Sequence, residues 1–409
     1  MKKKREKEQH IILFDESPDG LRERQEYEQK LHKHRRKNRI LWIVLIVGIC
    51  ILSVGYFVYD IGRTFDSYSV QWEISLENSN TEYVSWEDGI LQYSQNGVSC
   101  INGQGEVVWT SAYNMNQPVA VVQEEYAMIL DQKGTGFVIC NRKLGVTGTG
   151  TTPYAITKGD ISAQGVAAVI CENEEVSNIY YYKSTGSRLD IEIKSPMERT
   201  GYPLDIALSE DGKMLMVSYL YVDSGVMQNK VLFYNFDADA DEYLSGSFEY
   251  GATDTMIPEV LFFGNNQAVA MGDNLITFYT VNINGQERIP EKKTEYTLER
   301  KVLSAFTAED SVGLVLSSDG ENMHNTIQIY SGTGTKQLQV DIDQDYNQVL
   351  YNGRYLMLYD NYSCVMYDKK GEMKFKKDFA NGIHKIESAS GSRQFVMQTA
   401  DVLQQIQIK

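Results

Sequence analysis

Three features of this 409-residue sequence predict an all-β body behind one membrane-crossing helix. Residues 40–59 carry no charge. Beyond residue 69 almost no stretch shows the 3.6-residue apolar period of a helix. Short β-branched and aromatic runs recur there instead, bounded by Gly, Asn, Asp and Ser. Charge is divided the same way. Residues 1–39 hold 13 Lys/Arg and 8 Asp/Glu, a net of +5, whereas the 26 basic and 47 acidic residues of 60–409 give −21. An acidic body lacks the clustered cations that nucleic acid requires, so no nucleic-acid partner is expected.

The tail, residues 1–39, is polar apart from Ile11, Ile12, Leu13 and Phe14. Ser17-Pro18-Asp19-Gly20 is a turn signal, and residues 21–37 contain helix formers with no Gly or Pro, which predicts a charged juxtamembrane helix. The IILFDE stretch at 11–16 offers a docking segment for a cytoplasmic partner; the plainer reading is a disordered tail whose cations only fix topology. His10, His32 and His34 are scattered, no Cys joins them, and no metal site is expected.

Residues 40–59 read ILWIVLIVGICILSVGYFVY. As a helix they extend roughly 30 Å, the thickness of a bilayer's hydrocarbon core, so the lipid bilayer is the first expected partner. Trp42 stands near one end and Tyr56 and Tyr59 near the other, where amphipathic rings favour the interface. Lys30, Lys33, Arg35, Arg36, Lys37 and Arg39 precede the run with no acid among them, and Asp60 follows it. The positive-inside rule then puts the N-terminus in the cytoplasm and the body outside, a single-pass protein of the cell membrane. A cleaved signal peptide has a shorter lead, a shorter apolar core and a small-x-small cleavage site. A buried core helix would not usually carry the cationic flank. Gly48 and Gly55 are too far apart for the GxxxG dimer motif, and Cys50 reads as a small apolar residue rather than an acylation site. Residues 60–68 are a linker, and the body occupies 69–409.

Within the body, apolar runs at 127–130, 166–171, 214–221, 231–236, 275–281 and 355–359 read as strands. Two periods order them. Gly-containing hairpin turns recur in INGQGEVVW (101–109), YKSTGSRLDIEI (182–193), VNINGQERI (281–289), YSGTGTKQLQV (330–340) and YDKKGEMKF (367–375). They recur less regularly at 140–148 and 234–246, making seven turns. A polar link follows each turn and holds an aromatic residue: Tyr113, Tyr154, Tyr202, Tyr250, Tyr296, Tyr346 and then Phe379, with Tyr83 ahead of the series. From Tyr83 to Phe379 is 296 residues in seven intervals of about 42, the length of one four-stranded propeller blade. A lone strand at 69–76 and three more near 383–389, 394–399 and 402–408 would complete a last blade from both ends of the body. An eight-bladed β-propeller is expected, with seven blades as the alternative.

Gly105–Trp109 (GEVVW), with GEMKF at 371–375, resembles the Gly-x-x-x-Trp signature of quinoprotein-type repeats, although the other units replace the Trp. The layout of tail, anchor and propeller over the whole chain also resembles an uncharacterised family of single-pass membrane proteins from Clostridia and related Gram-positive bacteria, with a quinoprotein-like or WD-like propeller. That resemblance implies architecture and location. It implies no activity and brings no functional residues with it.

No catalytic, cofactor or metal constellation is legible. The body has only His324 and His384, and no CxxCH motif. Asp237-x-Asp239-x-Asp241 and Asp341-x-Asp343-x-Asp345 begin like calcium loops. Neither has the required Gly at position 6 nor the Glu at position 12, so solvated acidic turns are expected. The spacings of Cys100, Cys140, Cys171 and Cys364 match no metal motif, and buried free thiols are expected. The tyrosine series has two readings: wedges between neighbouring sheets, or a recognition face for a peptide or glycan. Residues 219–229 (YLYVDSGVMQN) extend a hairpin expected on the face of the links, and Tyr219, Tyr221 and Met227 are its candidate contact residues. The expected function is a membrane-anchored, extracytoplasmic scaffold for a protein partner in the cell envelope. A ligand sensor is the alternative. A hydrolase, a lyase or a quinoprotein-like enzyme ranks third, because it needs channel carboxylates that sequence spacing cannot reveal.

Overall fold

In the computed structural model the described residues are 18–76, 81–173, 176–237, 243–251, 255–308, 310–318, 324–342 and 346–409, with backbone alone at 18–26, 28, 29, 31, 33, 35, 54 and 56–61. They form two compact units divided between Thr64 and Phe65.

The first unit is one helix, Pro18–Gly62. Proline suits its first turn, where an N–H would have no partner, and glycine suits its end. Nothing breaks the chain between the expected juxtamembrane helix and the uncharged run, so the two are continuous. The described apolar side chains from Ile40 to Leu52 are exposed. Among the described residues no helix is long and apolar enough to cross a membrane. Of the uncharged run, side chains 54 and 56–59, including Tyr56 and Tyr59, lie outside the described residues, as does the 11–16 segment of the tail.

The second unit contains eight four-stranded antiparallel sheets among the described residues. Sheets 1 to 7 are consecutive in the chain: 82–112, 118–151, 155–196, 202–250, 259–297, 302–342 and 348–378. Sheet 8 joins Lys385–Ser388, Gln394–Gln398 and Val402–Ile408 to the first strand of the unit, Tyr68–Ser75. That strand pairs antiparallel with the last one, from Tyr68 opposite Ile408 to Ser75 opposite Val402. Eight blades are therefore present, and the last is closed by both ends of the unit.

Eight apolar clusters each bridge two successive sheets, and one of them joins sheet 8 back to sheet 1 through Tyr83, Ile90, Ile101, Val396 and Leu403. The core is thus a ring of interfaces. The first strands of sheets 1 to 5 lie against one another in succession, as do those of sheets 6, 7, 8 and 1, so first strands form the inner wall. Second strands are covered on both faces. Ala167–Glu172 and Tyr355–Tyr359 are buried almost throughout, which is why they read as unbroken apolar runs. Outer strands alternate, as Arg188–Pro196 does, because one face meets water.

The turn between third and fourth strands carries a repeated latch. Trp72 of sheet 8 donates Nε1–H to the Gly103 carbonyl of sheet 1 at 3.0 Å, and Trp109 of sheet 1 donates to the Arg142 carbonyl of sheet 2 at 2.8 Å. Thr147 does the same for Ser184 at 2.8 Å, Asn235 for Gln286 at 2.9 Å and the Tyr296 hydroxyl for Gly334 at 2.9 Å. Gly105, at φ +81°, turns directly over the Trp72 ring, where an added Cβ would come within 2.8 Å of ring carbons. This gives the Gly-x-x-x-Trp signature a physical role. The glycine lets the turn lie on the preceding sheet's ring, and the tryptophan latches onto the next sheet's turn.

Candidate functional site

Most of the tyrosine series packs between sheets. Tyr83, Tyr250 and Phe379 are buried, and Tyr113, Tyr296 and Tyr346 are partly buried against interface clusters. Tyr250 pairs its hydroxyl with that of Tyr279. Tyr202 donates to Glu172 at 3.3 Å. Tyr154 departs from the series. It is exposed and belongs to no cluster among the described residues.

The extended hairpin consists of Met214–Asp223 and Val226–Asn235, the middle strands of sheet 4. Its base is tied to the neighbouring link: Asn229 donates to the Thr255 carbonyl at 2.6 Å and accepts from the Ile257 N–H at 3.2 Å. The link before sheet 4 is equally close, since an added Cβ on Gly201 would meet the Leu220 carbonyl and Tyr221 Cβ. The expectation that Tyr219 contacts a partner is corrected. Its side chain is fully buried, and its hydroxyl bonds Ser195 Oγ at 3.0 Å and the Tyr234 hydroxyl at 3.4 Å. Strand alternation turned it into the interface of sheets 3 and 4. Tyr221 is half-buried; it donates to Gln228 at 2.8 Å, and the Lys230 ammonium sits 4.6 Å from its ring centre. Met227 is 63% exposed, beside Val222 at 66% and Val226 at 48%.

Inner-wall carboxylates, which no sequence spacing could reveal, gather on three successive first strands. Asp160 (sheet 3) accepts from the Leu208 N–H of sheet 4 at 2.7 Å. Asp205 (sheet 4) accepts from the Val260 N–H of sheet 5 at 2.9 Å and from Lys158 Nζ of sheet 3 at 2.9 Å. Burial pushes the Asp160 carboxyl up to about 7, against the N–H bonds of Leu208 and Ile161 and with the Asp205 charge adding. Burial also raises Asp205 despite Lys158, and raises Glu259, where the Asp205 charge adds. The observed bonds brace one sheet to the next. Among the described residues no three His, Cys, Asp or Glu side chains converge as metal ligands.

The other sequence candidates fall apart as sites. Asp237 pairs with Lys213 at 2.9 Å and Arg288 at 3.3 Å; Asp341 accepts from Thr326 at 2.5 Å. Residues 239, 241, 343 and 345 lie outside the described residues. Cys100, Cys140, Cys171 and Cys364 are free and buried. Burial pushes their thiols up, Cys100 and Cys171 to about 11 and Cys140 and Cys364 to about 12.

Two surface cavities open between outer strands. One, of about 320 Å³, lies between sheets 5 and 6 against Tyr296, Arg300, Gln328 and Lys336. The larger, of about 480 Å³, lies between sheets 3 and 4, at the foot of the extended hairpin. Its wall is apolar at Ile193, Leu232, Tyr243 and Leu244, and cationic at Lys194, Arg199 and Lys230. A shallow, part-apolar groove with charged rims suits a polypeptide better than a small metabolite.

A family model described as "Family of unknown function (DUF5711)" matches residues 61–408, and the chain belongs to that family. No curated protein matches it. Among solved structures, BamB from Moraxella catarrhalis is similar with a TM-score of 0.52 at 13% identity, over 83% of this chain and 100% of that one. Apo AztD from Citrobacter koseri is similar with a TM-score of 0.50 at 9% identity, over 74% of this chain and 86% of that one. Both are β-propeller proteins, and identities this low speak to fold alone.

Proposed function

We propose that this member of the DUF5711 family is a membrane-anchored interaction scaffold, its propeller held at the outer surface of a Gram-positive cytoplasmic membrane. The observation that carries the reading is the sheet 4 hairpin, which projects Val222, Val226 and Met227, all exposed, from a body of net charge −21. Exposed apolar side chains gathered on one projection mark a contact surface. The ring supports it rigidly, since latches and inner-wall braces join sheet 8 to sheet 1 and each of sheets 1 to 5 to the next. The anchor rests on sequence: residues 40–59 are uncharged on every side of a helix and follow a cationic cluster. A helix apolar all round needs lipid or protein about it.

The test is purification from native membranes in mild detergent after in-cell crosslinking, comparing the full chain with a version lacking residues 60–409. A partner recovered with the full chain and lost with the body removed is expected. Recovery of nothing after crosslinking would sink the scaffold reading.

A further inference from the structure

The groove between sheets 3 and 4 sets cations around an apolar floor. Lys230 lies partly buried on its wall, and burial holds its ammonium below the usual lysine range, with Glu249 acting the other way. It makes no ion pair among the described residues; the Tyr221 ring is its neighbour, at 4.6 Å. Arg199 reaches the same cavity with no carboxylate paired to it among the described residues. Lys194 has only a long contact, 3.9 Å, to Glu192, whose other oxygen is held by Arg188 at 2.9 Å. A desolvated cation without a close, hydrogen-bonded counterion is costly and is stabilised by an incoming anion. Between these cations the floor is apolar, at Leu232, Tyr243 and Leu244. One side of the groove is Arg188–Pro196, the outermost strand of sheet 3, whose outer main-chain groups have no strand partner among the described residues. Such an edge accepts an extended chain.

We propose that this groove receives an extended peptide segment of a partner protein that carries carboxylates beside apolar side chains. The inference rests on the scaffold reading and specifies where its partner docks. The carboxylates meet Lys230 and Arg199, and the apolar side chains cover Leu232 and Leu244. Tyr221, on the same face of the hairpin as Lys230, stands beside it. Charge complementarity selects the occupant. A net of −21 on the body repels acidic chains elsewhere, so an acidic segment is drawn to a groove lined by Lys194, Arg199 and Lys230, with Glu192 the one carboxylate on its lining.

A library of random ten-residue peptides, displayed on phage and selected against the full chain in detergent micelles, tests this. Enriched sequences are expected to place Asp or Glu next to apolar residues. Synthesised, they should bind the Arg199→Glu and Lys230→Gln variants about tenfold or more weakly, the order of one charge-assisted bond, and bind less at higher salt. Arg199 is exposed, so its replacement does not endanger folding. Absence of enrichment, enrichment of basic or uncharged sequences, or binding indifferent to both substitutions overturns the proposal. A crosslinked partner still recovered with both variants also overturns the groove, and leaves the scaffold reading standing.

Discussion

Trp109 shows how one side chain serves two sheets. Its ring packs edge-on to Trp86 with centres 6.2 Å apart, and its N–H latches the next turn at 2.8 Å. Trp109→Phe keeps an aromatic ring, at smaller size, and removes the bond, and should cost about 1 kcal/mol or somewhat more in denaturant titration. Trp109→Ala removes both and should cost about 3 kcal/mol. No loss in Trp109→Phe would show that the latch contributes nothing. Asp160 makes a pH prediction. Its carboxyl sits near 7 when folded against 3.8 when free, so the folded state holds the proton more tightly. The stability this contributes is complete below about pH 4, declines as pH rises toward 7, and is gone above that. Asp160→Asn mimics the protonated form and keeps the acceptor for Leu208. The melting temperature of the unaltered protein should therefore fall relative to the variant between pH 4 and 8; a constant difference contradicts the assigned burial.

Strand alternation divides the sheet 4 hairpin between core and surface. Tyr219→Phe removes a buried hydroxyl bonded to Ser195, and should cost about 1 kcal/mol while leaving partner recovery unchanged. Met227→Asp should do the reverse, since its exposed side chain holds up nothing in the fold: unchanged melting, and loss of the crosslinked partner. A destabilised Met227→Asp protein would put that side chain in the core. Here too lies the boundary of what the sequence made legible. Second strands such as Tyr355–Tyr359 were plain because two-sided burial makes unbroken apolar runs. Third-to-fourth turns were plain because glycine must take positive φ over a ring, as at Gly105. The burial of Tyr219 goes against the sequence expectation because an extended hairpin gives no sign of where its buried part ends. The groove was hidden for another reason. Lys194, Arg199 and Lys230 come from three segments that meet only when sheets 3 and 4 pack.

The ring depends on closure between strands at opposite ends of the second unit. Removing residues 402–409 would strip Tyr68–Ser75 of its only partner strand and open sheet 8, exposing apolar surface that includes Phe395 and Met397. Such a chain should aggregate on size-exclusion chromatography, whereas a monodisperse, fully folded product would show that closure is dispensable. Eightfold repetition explains why blade number was readable at a distance. Most interfaces hold an aromatic wedge at nearly the same interval, with Tyr154 the exception, so the period survives although individual motifs decay. Function has no such repetition, and its candidates sit where the symmetry breaks, at sheets 3 to 5.

We propose that the propeller stands outside the cell on an anchoring helix, and one labelling experiment addresses it. The four cysteines of the body are buried with raised thiol pKa values, so they should stay silent to a membrane-impermeant maleimide. Tyr362 is 66% exposed, and Tyr362→Cys supplies a single reporter on the propeller. Labelling of that cysteine in intact cells, with the chain retained in the membrane pellet after alkaline extraction, is the predicted result. A reporter that labels only after lysis, or a chain released by the alkaline wash, would contradict it.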